Sequence, residues 1–307
     1  MLVTHPFVSV VVATRNRGDR ITQTIDSLLS NHYCAFEIRV VDQSRDDSCQ
    51  LAMQQYVDEP RVIYQLSKSV GMARARNIAI AAAKGELIAI TDDDCVVSSD
   101  WIEAIVSTFI TYSKVTILFG NVLPVHHDPA TGFIPTYCRD QLKIVSNPLE
   151  KPQVDGLGAC MAMRKQVWLT FGGFDEALGV GGLLKSSSEG DLAIHALNKG
   201  YQICETPSVS VVHNGFRTWE EGVALIGRYW YGTGAMYGKH LRLYPFSTFL
   251  TLVLLAWRWA FGSSRVADSL GPDTQKSARL QAFISGFIKG LWLKIDRKTG
   301  HFSPQSV

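Results

Sequence analysis

This chain of 307 residues lacks several features whose absence narrows its class. No apolar run reaches the ~20 residues a membrane-spanning helix needs. No C-x-x-C pair occurs among the six cysteines at positions 34, 49, 95, 138, 160 and 204. Scattered cysteines argue against a zinc site or disulfide framework and for free thiols in a reducing cytoplasm. Neither sign of charge dominates: 30 basic against 28 acidic side chains give a net charge of +2. No global field therefore draws a polyanion, and nucleic acid is not an expected partner. Met1 to Pro6 lack the basic start and long apolar stretch of a secretory leader, so the expected location is cytoplasmic. Repeats and low-complexity segments are absent too. A chain of this length holds one large domain with appendages, or two domains.

What is present is organised around Leu87-Ile88-Ala89-Ile90-Thr91-Asp92-Asp93-Asp94-Cys95. Four apolar residues rich in branched side chains read as a buried strand. It runs directly into three carboxylates, which repel one another unless a cation neutralises them. Oxygen ligands at a strand end suit a hard divalent ion, Mg²⁺ or Mn²⁺. In an open parallel sheet the carboxyl end of a strand is also where ligands bind. The bland alternative is a solvated turn, with Asp94 or Ser98 capping a helix that starts near Trp101.

Upstream, Phe7 to Ala13 is a nearly uninterrupted apolar strand, expected to be central and parallel. The polar loop Thr14-Arg15-Asn16-Arg17-Gly18-Asp19 follows, then a helix from about Arg20 to Ser30. Phe36 to Val41 is the second strand and ends in Asp42-Gln43-Ser44, completing a right-handed crossover unit. Asp42 is either a turn residue or a carboxylate that accepts hydrogen bonds from a base or ribose. Arg61 to Tyr64 is a third short strand. An alanine-rich helix from Met72 to Ala83 then carries Arg74, Arg76 and Asn77 in its first turns, behind Gly71. A glycine before a helix N-terminus lets backbone amides approach a phosphate.

The stretches V-S-V-V-V-A-T-R-N-R, V-V-D-Q-S, V-G-M-A-R-A-R-N and I-T-D-D-D-C, in this order and spacing, resemble the nucleotide-sugar half of family 2 glycosyltransferases. G-L-G-A-C-M-A-M-R-K-Q-V-W, G-G-F-D-E-A-L-G and S-E-G-D-L are similar to that family's acceptor half, so the likeness covers residues 7 to 215. The resemblance implies a GT-A fold: an α/β, Rossmann-like, mostly parallel sheet flanked by helices. It also implies a nucleotide-diphosphate sugar donor, a divalent metal (Mn²⁺ or Mg²⁺) and inversion at the anomeric carbon. By motif, Thr14, Arg15, Asn16, Asp42, Arg74, Arg76, Asp92 and Asp93 fall in the nucleotide-sugar site, and Asp92 and Asp94 at the two ends of the D-x-D metal motif. Ala13, Arg15 and Gln43 depart from the proline, tyrosine and aspartate common at their positions, which bears on base recognition.

Downstream, Thr131 to Glu150 is expected from its position to cover the site or help choose the acceptor. Gly156 and Gly158 flank a short strand, serving either a bulge or the approach of a sugar to the backbone. Gly179 to Gly182 and Lys185 to Ser188 form a glycine-hinged lid or a disordered loop. The family pattern E-D-x-D-L, aligned on Asp191-Leu192, places the catalytic base at Glu189, with Asp191 as the runner-up. Either would accept the acceptor hydroxyl's proton, although acidic residues in a first helical turn are favoured by the helix dipole in any case. Tyr201 to Cys204 and Ser208 to Val212 read as two short strands, the second running into His213. A histidine at that place in GT-A enzymes completes the metal shell.

Beyond Gly215 the character changes. Trp219 to Lys239, Phe246 to Trp257 and Arg279 to Lys294 read as helices, rich in apolar side chains and bordered by tryptophan, arginine and lysine. Such helices lie in a membrane interface or pack on the catalytic part or a second subunit. Arg258, Arg265, Lys289 and Lys294 would face anionic headgroups, so peripheral attachment to the inner membrane face is one expectation and a homo-oligomer the other. The expected division is a catalytic part at 1–215, with a nucleotide-sugar half to about 120 and an acceptor half from 121, and a helical extension at 216–307. The expected reaction moves a sugar to a glycan or lipid-linked acceptor, in cell-surface polysaccharide or glycolipid synthesis. UDP-sugar is the favoured donor, with dTDP- and GDP-sugar as alternatives. The rivals are a nucleotidyltransferase of similar fold and a catalytically silent carbohydrate- or lipid-binding module.

Overall fold

The computed structural model describes residues 5–261 and 276–303. Arg265, and the side chains of Arg258 and Trp259, lie outside the described residues. The chain begins with β1 (Val8–Thr14), α1 (Gly18–Leu29), β2 (Phe36–Asp42), the short α2 (Ser48–Met53), β3 (Val62–Leu66), α3 (Met72–Ala82) and β4 (Leu87–Asp92). These four strands pair in parallel in the order β3-β2-β1-β4. Burial on both faces explains why β1 reads as an unbroken apolar run. Val8, Val10 and Val12 enter one core cluster with Ile21, Ile25 and Leu28 of α1, while Val11 enters the other with Ala75, Ala79 and Ile80 of α3. That alternation is the period of two of an extended chain.

The acidic turn leads to β5 (Cys95–Val97), α4 (Trp101–Thr111) and β6 (Val115–Pro124). Asp100, rather than Asp94 or Ser98, occupies the position before α4. Next come β7 (Gly132–Phe133), β8 (Lys143–Val145), β9 (Cys160–Arg164), α5 (Lys165–Phe171), α6 (Ser188–Asn198), β10 (Gln202–His213) and β11 (Arg217–Thr218). The sheet continues β4-β9-β6-β10-β5, with β8 also on β10. Among the described strands of this sheet only β9, β5 and β8 run against the others, so the expected mostly parallel sheet is present. The two strands expected across 201–213 are one twelve-residue strand, β10. Its register on β6 slips between Thr206 and Ser210, around Pro207, which has no N–H for the ladder.

Among the described residues three helices follow β11: α7 (Trp219–Leu243), α8 (Pro245–Phe261) and α9 (Lys276–Trp292). The α7–α9 contact is backbone on backbone. A Cβ on Gly234 would strike the Phe283 carbonyl of α9, and one on Gly286 would strike the Tyr231 carbonyl of α7. Small residues four apart on both helices permit that approach. Among the described residues, no helix is long and apolar enough to cross a membrane.

Candidate active site

Strand register assembles the site. Thr14 lies opposite Asp42, and Ala13 opposite Asp92, so the ends of β1, β2 and β4 share one sheet edge. Antiparallel pairing of β5 with β10 sets His213 opposite Cys95, and the Asn214 amide donates to the Asp94 carbonyl at 2.8 Å. Residues more than a hundred positions apart thus meet at the acidic turn.

Asp94 and His213 form its core. Asp94 Oδ2 accepts from Arg17 at 2.7 Å, while Oδ1, buried, lies 3.3 Å from His213 Nε2. His213 Nδ1 is 3.1 Å from the Pro135 carbonyl. Against the effect of burial, the Asp94 carboxylate raises the imidazole, and His213 Nε2 faces it as a proton donor. A bound cation would take that proton's place between the carboxylate oxygen and an Nε2 lone pair, with Nδ1–H donating to Pro135. Burial alone would raise the Asp94 carboxyl, but the His213 hydrogen bond and charge, with Arg17, hold it below the usual range. Cys95 also lies within reach, yet burial pushes its thiol well up, so it stays protonated. The usable donors are therefore oxygen and imidazole, a set that Mn²⁺ or Mg²⁺ accepts.

Asp92 points to a different partner. Its carboxylate accepts from Arg76 Nη2 at 3.1 Å, and the other arm of that guanidinium donates to Glu189. Arg76 is 1% exposed, against 25% for the Asp92 side chain and 20% for that of Glu189. A guanidinium so enclosed is a clamp between two carboxylates that remain open to the site. Burial raises the Asp92 carboxyl; at Glu189 burial acts the same way, but the Arg76 charge and hydrogen bond outweigh it, so the group is lowered and ionised. Gly158 makes room for this pair, since a Cβ there would run into Glu189 and lie 2.8 and 2.9 Å from the two terminal nitrogens of Arg76. Neither the bulge nor the sugar approach expected at Gly158 is its visible task.

The remaining motif residues separate into groups. Asp93 is buried and bonded to Arg17 at 2.7 Å; burial raises its carboxyl to about 6. Thr14 is buried against Asp93 and Cys49. Among the described residues, the Arg15 Nε is buried without a hydrogen-bond partner. Asn16, at φ +55°, ties the loop after β1 to the loop after β2 through Ser44 Oγ (2.6 Å) and the Arg45 amide (3.0 Å). Asp42 is fully buried and accepts from the Ser44 amide at 2.7 Å and the Tyr64 hydroxyl at 2.6 Å, the geometry of a turn residue. Arg74 turns away to pair with Glu176 at 2.6 Å. Neither arginine of α3 thus stands as a free phosphate ligand: Arg74 is engaged by Glu176, and Arg76 by the two carboxylates.

Asp191 is withdrawn from the site. Its side chain is 3% exposed and accepts from Lys239 Nζ at 2.7 Å and His240 Nε2 at 2.8 Å, both on α7. Lys239 also reaches Asp175 at 2.7 Å, and the Phe302 amide donates to the same carboxylate at 2.8 Å. The runner-up base is therefore a structural anchor for the closing helices. The loop expected as a lid is knitted down. Gly179 N bonds Ser186 O at 3.1 Å, Leu184 N bonds Ala177 O at 2.7 Å, and Ser186 Oγ reaches the Tyr229 carbonyl at 3.0 Å. The 131–150 segment touches the site through the Pro135 carbonyl on His213.

Two residues were not anticipated. Arg17 joins Asp93 to Asp94, and its place in a T-R-N-R loop behind a strand was the available signal. Tyr229 of α7 is the other: its hydroxyl is raised to about 12 by burial first and then by the charges of Glu189 and Asp92. Nothing local in the sequence marks it.

The mixed sheet with its flanking helices is of the GT-A class, the fold of the solved glycosyltransferase structures it resembles. The glycosyl transferase family 2 model matches residues 9–167, and the chain belongs to that family. Glycosyltransferase GlyG of Streptococcus pneumoniae serotype 4 is 35% identical over 118 residues, 37% of this chain and 38% of that relative's length. Among solved structures, S. aureus TarS 1-349 in complex with UDP-GlcNAc is similar at TM-score 0.62 and 17% identity, over 92% of this chain and 81% of that one. Mannosyltransferase PcManGT of Pyrobaculum calidifontis, in complex with GDP-Man and Mn²⁺, is similar at TM-score 0.59 and 19% identity, over 94% and 88%.

Proposed function

We propose that this protein is a metal-dependent, inverting glycosyltransferase in which Glu189 is the base. The observation that carries the reading is the buried Arg76 clamp, which holds Glu189 ionised beside Asp92, while Asp94, two residues further along the acidic turn, faces His213. A divalent ion, Mn²⁺ or Mg²⁺, held by Asp94 and His213 with Asp92 alongside would neutralise charge on the departing diphosphate. Glu189 accepts the proton of the acceptor hydroxyl as that oxygen attacks the anomeric carbon. The bond to the diphosphate oxygen breaks on the opposite side, and the nucleoside diphosphate leaves with the bonding electrons. A single displacement of this kind inverts the anomeric centre.

A UDP-sugar is the favoured donor, in line with the bound UDP-GlcNAc of TarS; the GDP-Man of PcManGT keeps GDP-sugars in view. Residues 1–215 carry the chemistry and 216–307 the packing and placement. The outer faces of α8 and α9 expose Phe246, Phe249, Trp257, Ile284, Ile288 and Trp292 beside the exposed Lys289 and Lys294. Aromatic and aliphatic side chains with flanking lysines suit the inner, anionic face of a membrane, where a glycan or lipid-linked acceptor would be met. The discriminating experiment is a calorimetric donor screen with and without Mn²⁺, followed by turnover of Glu189→Gln. That variant should bind donor and lose roughly 10²–10⁴-fold in transfer. Release of pyrophosphate in place of nucleoside diphosphate would mean a nucleotidyltransferase. Donor binding without turnover across acceptors would mean a silent module.

A further inference from the structure

One face of α7 joins the segment after β6 to the start of α6. Gly222, Ile226, Tyr229, Thr233 and Met236 fall on that face, spaced by three or four positions. At one end a Cβ on Gly222 would strike the Phe133 ring, and Phe133 with Ile226 forms a buried cluster on which Tyr229 packs. At the other end Thr233 Oγ1 lies 3.0 Å from Ser187 Oγ, and a Cβ on Gly190 would come within 3.1 Å of Met236 Sδ. Glu189 sits between Ser187 and Gly190, while Phe133 is two residues before Pro135, whose carbonyl meets His213. Tyr229 is therefore held between the Glu189 turn and the segment that touches His213. Its own carbonyl is fixed by Ser186 Oγ at 3.0 Å.

The protein leaves the Tyr229 hydroxyl unused. The side chain is half-buried, and its hydroxyl makes no hydrogen bond among the described residues. Burial first, and then the charges of Glu189 and Asp92, raise that hydroxyl to about 12, so it stays protonated and serves as a donor, not as a second base. A phenol so placed finds its partner in a ligand or in water. The base next to it must touch its substrate: the acceptor hydroxyl lies within hydrogen-bond reach of Glu189 when its proton is taken. The hydroxyls of a pyranose project from adjacent ring carbons, so one can reach Glu189 while the next reaches Tyr229. We propose that Tyr229 binds the acceptor sugar, donating a hydrogen bond to the hydroxyl beside the one that Glu189 deprotonates. This rests on the glycosyltransferase reading and adds a requirement on the substrate, a hydroxyl next to the reacting one.

The test uses the full chain with Mn²⁺ and the nucleotide sugar chosen by the donor screen. Nucleoside diphosphate release is measured without acceptor, where water takes the sugar, and with p-nitrophenyl hexosides and their monodeoxy analogues. Tyr229→Phe should keep the wild-type melting temperature, because the lost hydroxyl bonds nothing in the protein. Donor affinity and hydrolysis should also stay unchanged. Its kcat/KM for the hexoside should fall roughly 3–10-fold, the size of one neutral hydrogen bond, and mostly through KM. In the wild type, the analogue lacking the hydroxyl beside the reacting one should lose at least that factor. In Tyr229→Phe, removing the same hydroxyl should cost little more. Equal deoxy penalties in the two proteins would overturn the proposal, as would a comparable fall in donor affinity or in hydrolysis. A wild type that neither binds nor hydrolyses any nucleotide sugar removes the glycosyltransferase reading; donor turnover with deoxy penalties that the substitution leaves in place removes Tyr229 alone.

Discussion

Asp191→Asn separates the two carboxylates of α6 by what each holds. In the wild type the carboxylate is buried with Lys239 at 2.7 Å and His240 at 2.8 Å, and Lys239 is 0% exposed. Removing one partner of a buried ion pair costs about 3–5 kcal/mol. Here Asp175 still holds Lys239 at 2.7 Å, and the asparagine carbonyl still accepts a hydrogen bond, so about 2–3 kcal/mol is the expected loss. At ~2–4 °C per kcal/mol for a chain of comparable size, the melting temperature should fall by about 5–10 °C. The pH dependence has a definite sign. Burial would raise the Asp191 carboxyl, but the Lys239 charge and the His240 hydrogen bond win and lower it in the folded state. A carboxyl lowered on folding stabilises above its unfolded pKa of about 3.9 and loses that contribution as the pH falls. The gap between wild type and variant should therefore be constant from about pH 6 to 8 and close only in acid. Differential scanning calorimetry across pH measures this, and nucleoside diphosphate release below the variant's melting range measures turnover, which should stay within a few-fold. An unchanged melting temperature with a roughly 10²-fold or larger loss of turnover would refute the argument and move the base to Asp191.

Three further outcomes follow from the same geometry. Asp94→Ala should abolish the metal-dependent part of nucleotide-sugar binding, as should excess chelator on the wild type, with both read by calorimetry; unchanged binding in either removes the Asp94–His213 metal site. Gly158→Ala forces a Cβ into the Arg76–Glu189 pair, so it should destabilise by about 1–3 kcal/mol and depress turnover more than donor affinity; wild-type turnover would show that the clamp is dispensable. Phe249→Ser with Trp257→Ser, both exposed on α8, should reduce co-sedimentation with anionic vesicles without lowering the melting temperature, each nearby lysine adding on the order of 1 kcal/mol to wild-type binding. A wild type that stays in the supernatant as a tight dimer would make that face a subunit interface.

Much of this arrangement is written locally. The alternation of β1, the crossover to β2, the alanine-rich α3 and the apolar run into Asp92-Asp93-Asp94 depend on period and composition, which neighbouring residues determine among themselves. The placement of Asp42 and Asp92 at one edge follows as well, because consecutive right-handed crossovers leave parallel strands ending on the same side. Pro207 concealed the continuity of β10, because its missing N–H imitates a strand boundary while β6 and the far end of the ladder keep the strand whole.

Where each charged side chain points was decided only in three dimensions. Arg74 and Arg76 occupy one helical turn, yet one meets Glu176 on the surface and the other is sealed between Asp92 and Glu189. Glu189 and Asp191 differ by two helical positions, about 200° of rotation, so they necessarily face different surroundings. The E-G-D-L sequence determines that they diverge. Which of them faces Arg76 and Asp92 and which faces α7 depends on how α6 is rotated between the sheet and the closing helices. Lys239 and His240, about fifty residues downstream, fix that rotation, the first by neutralising Asp191 and the second by hydrogen-bonding it in the interior, where an unpaired carboxylate would be too costly to bury.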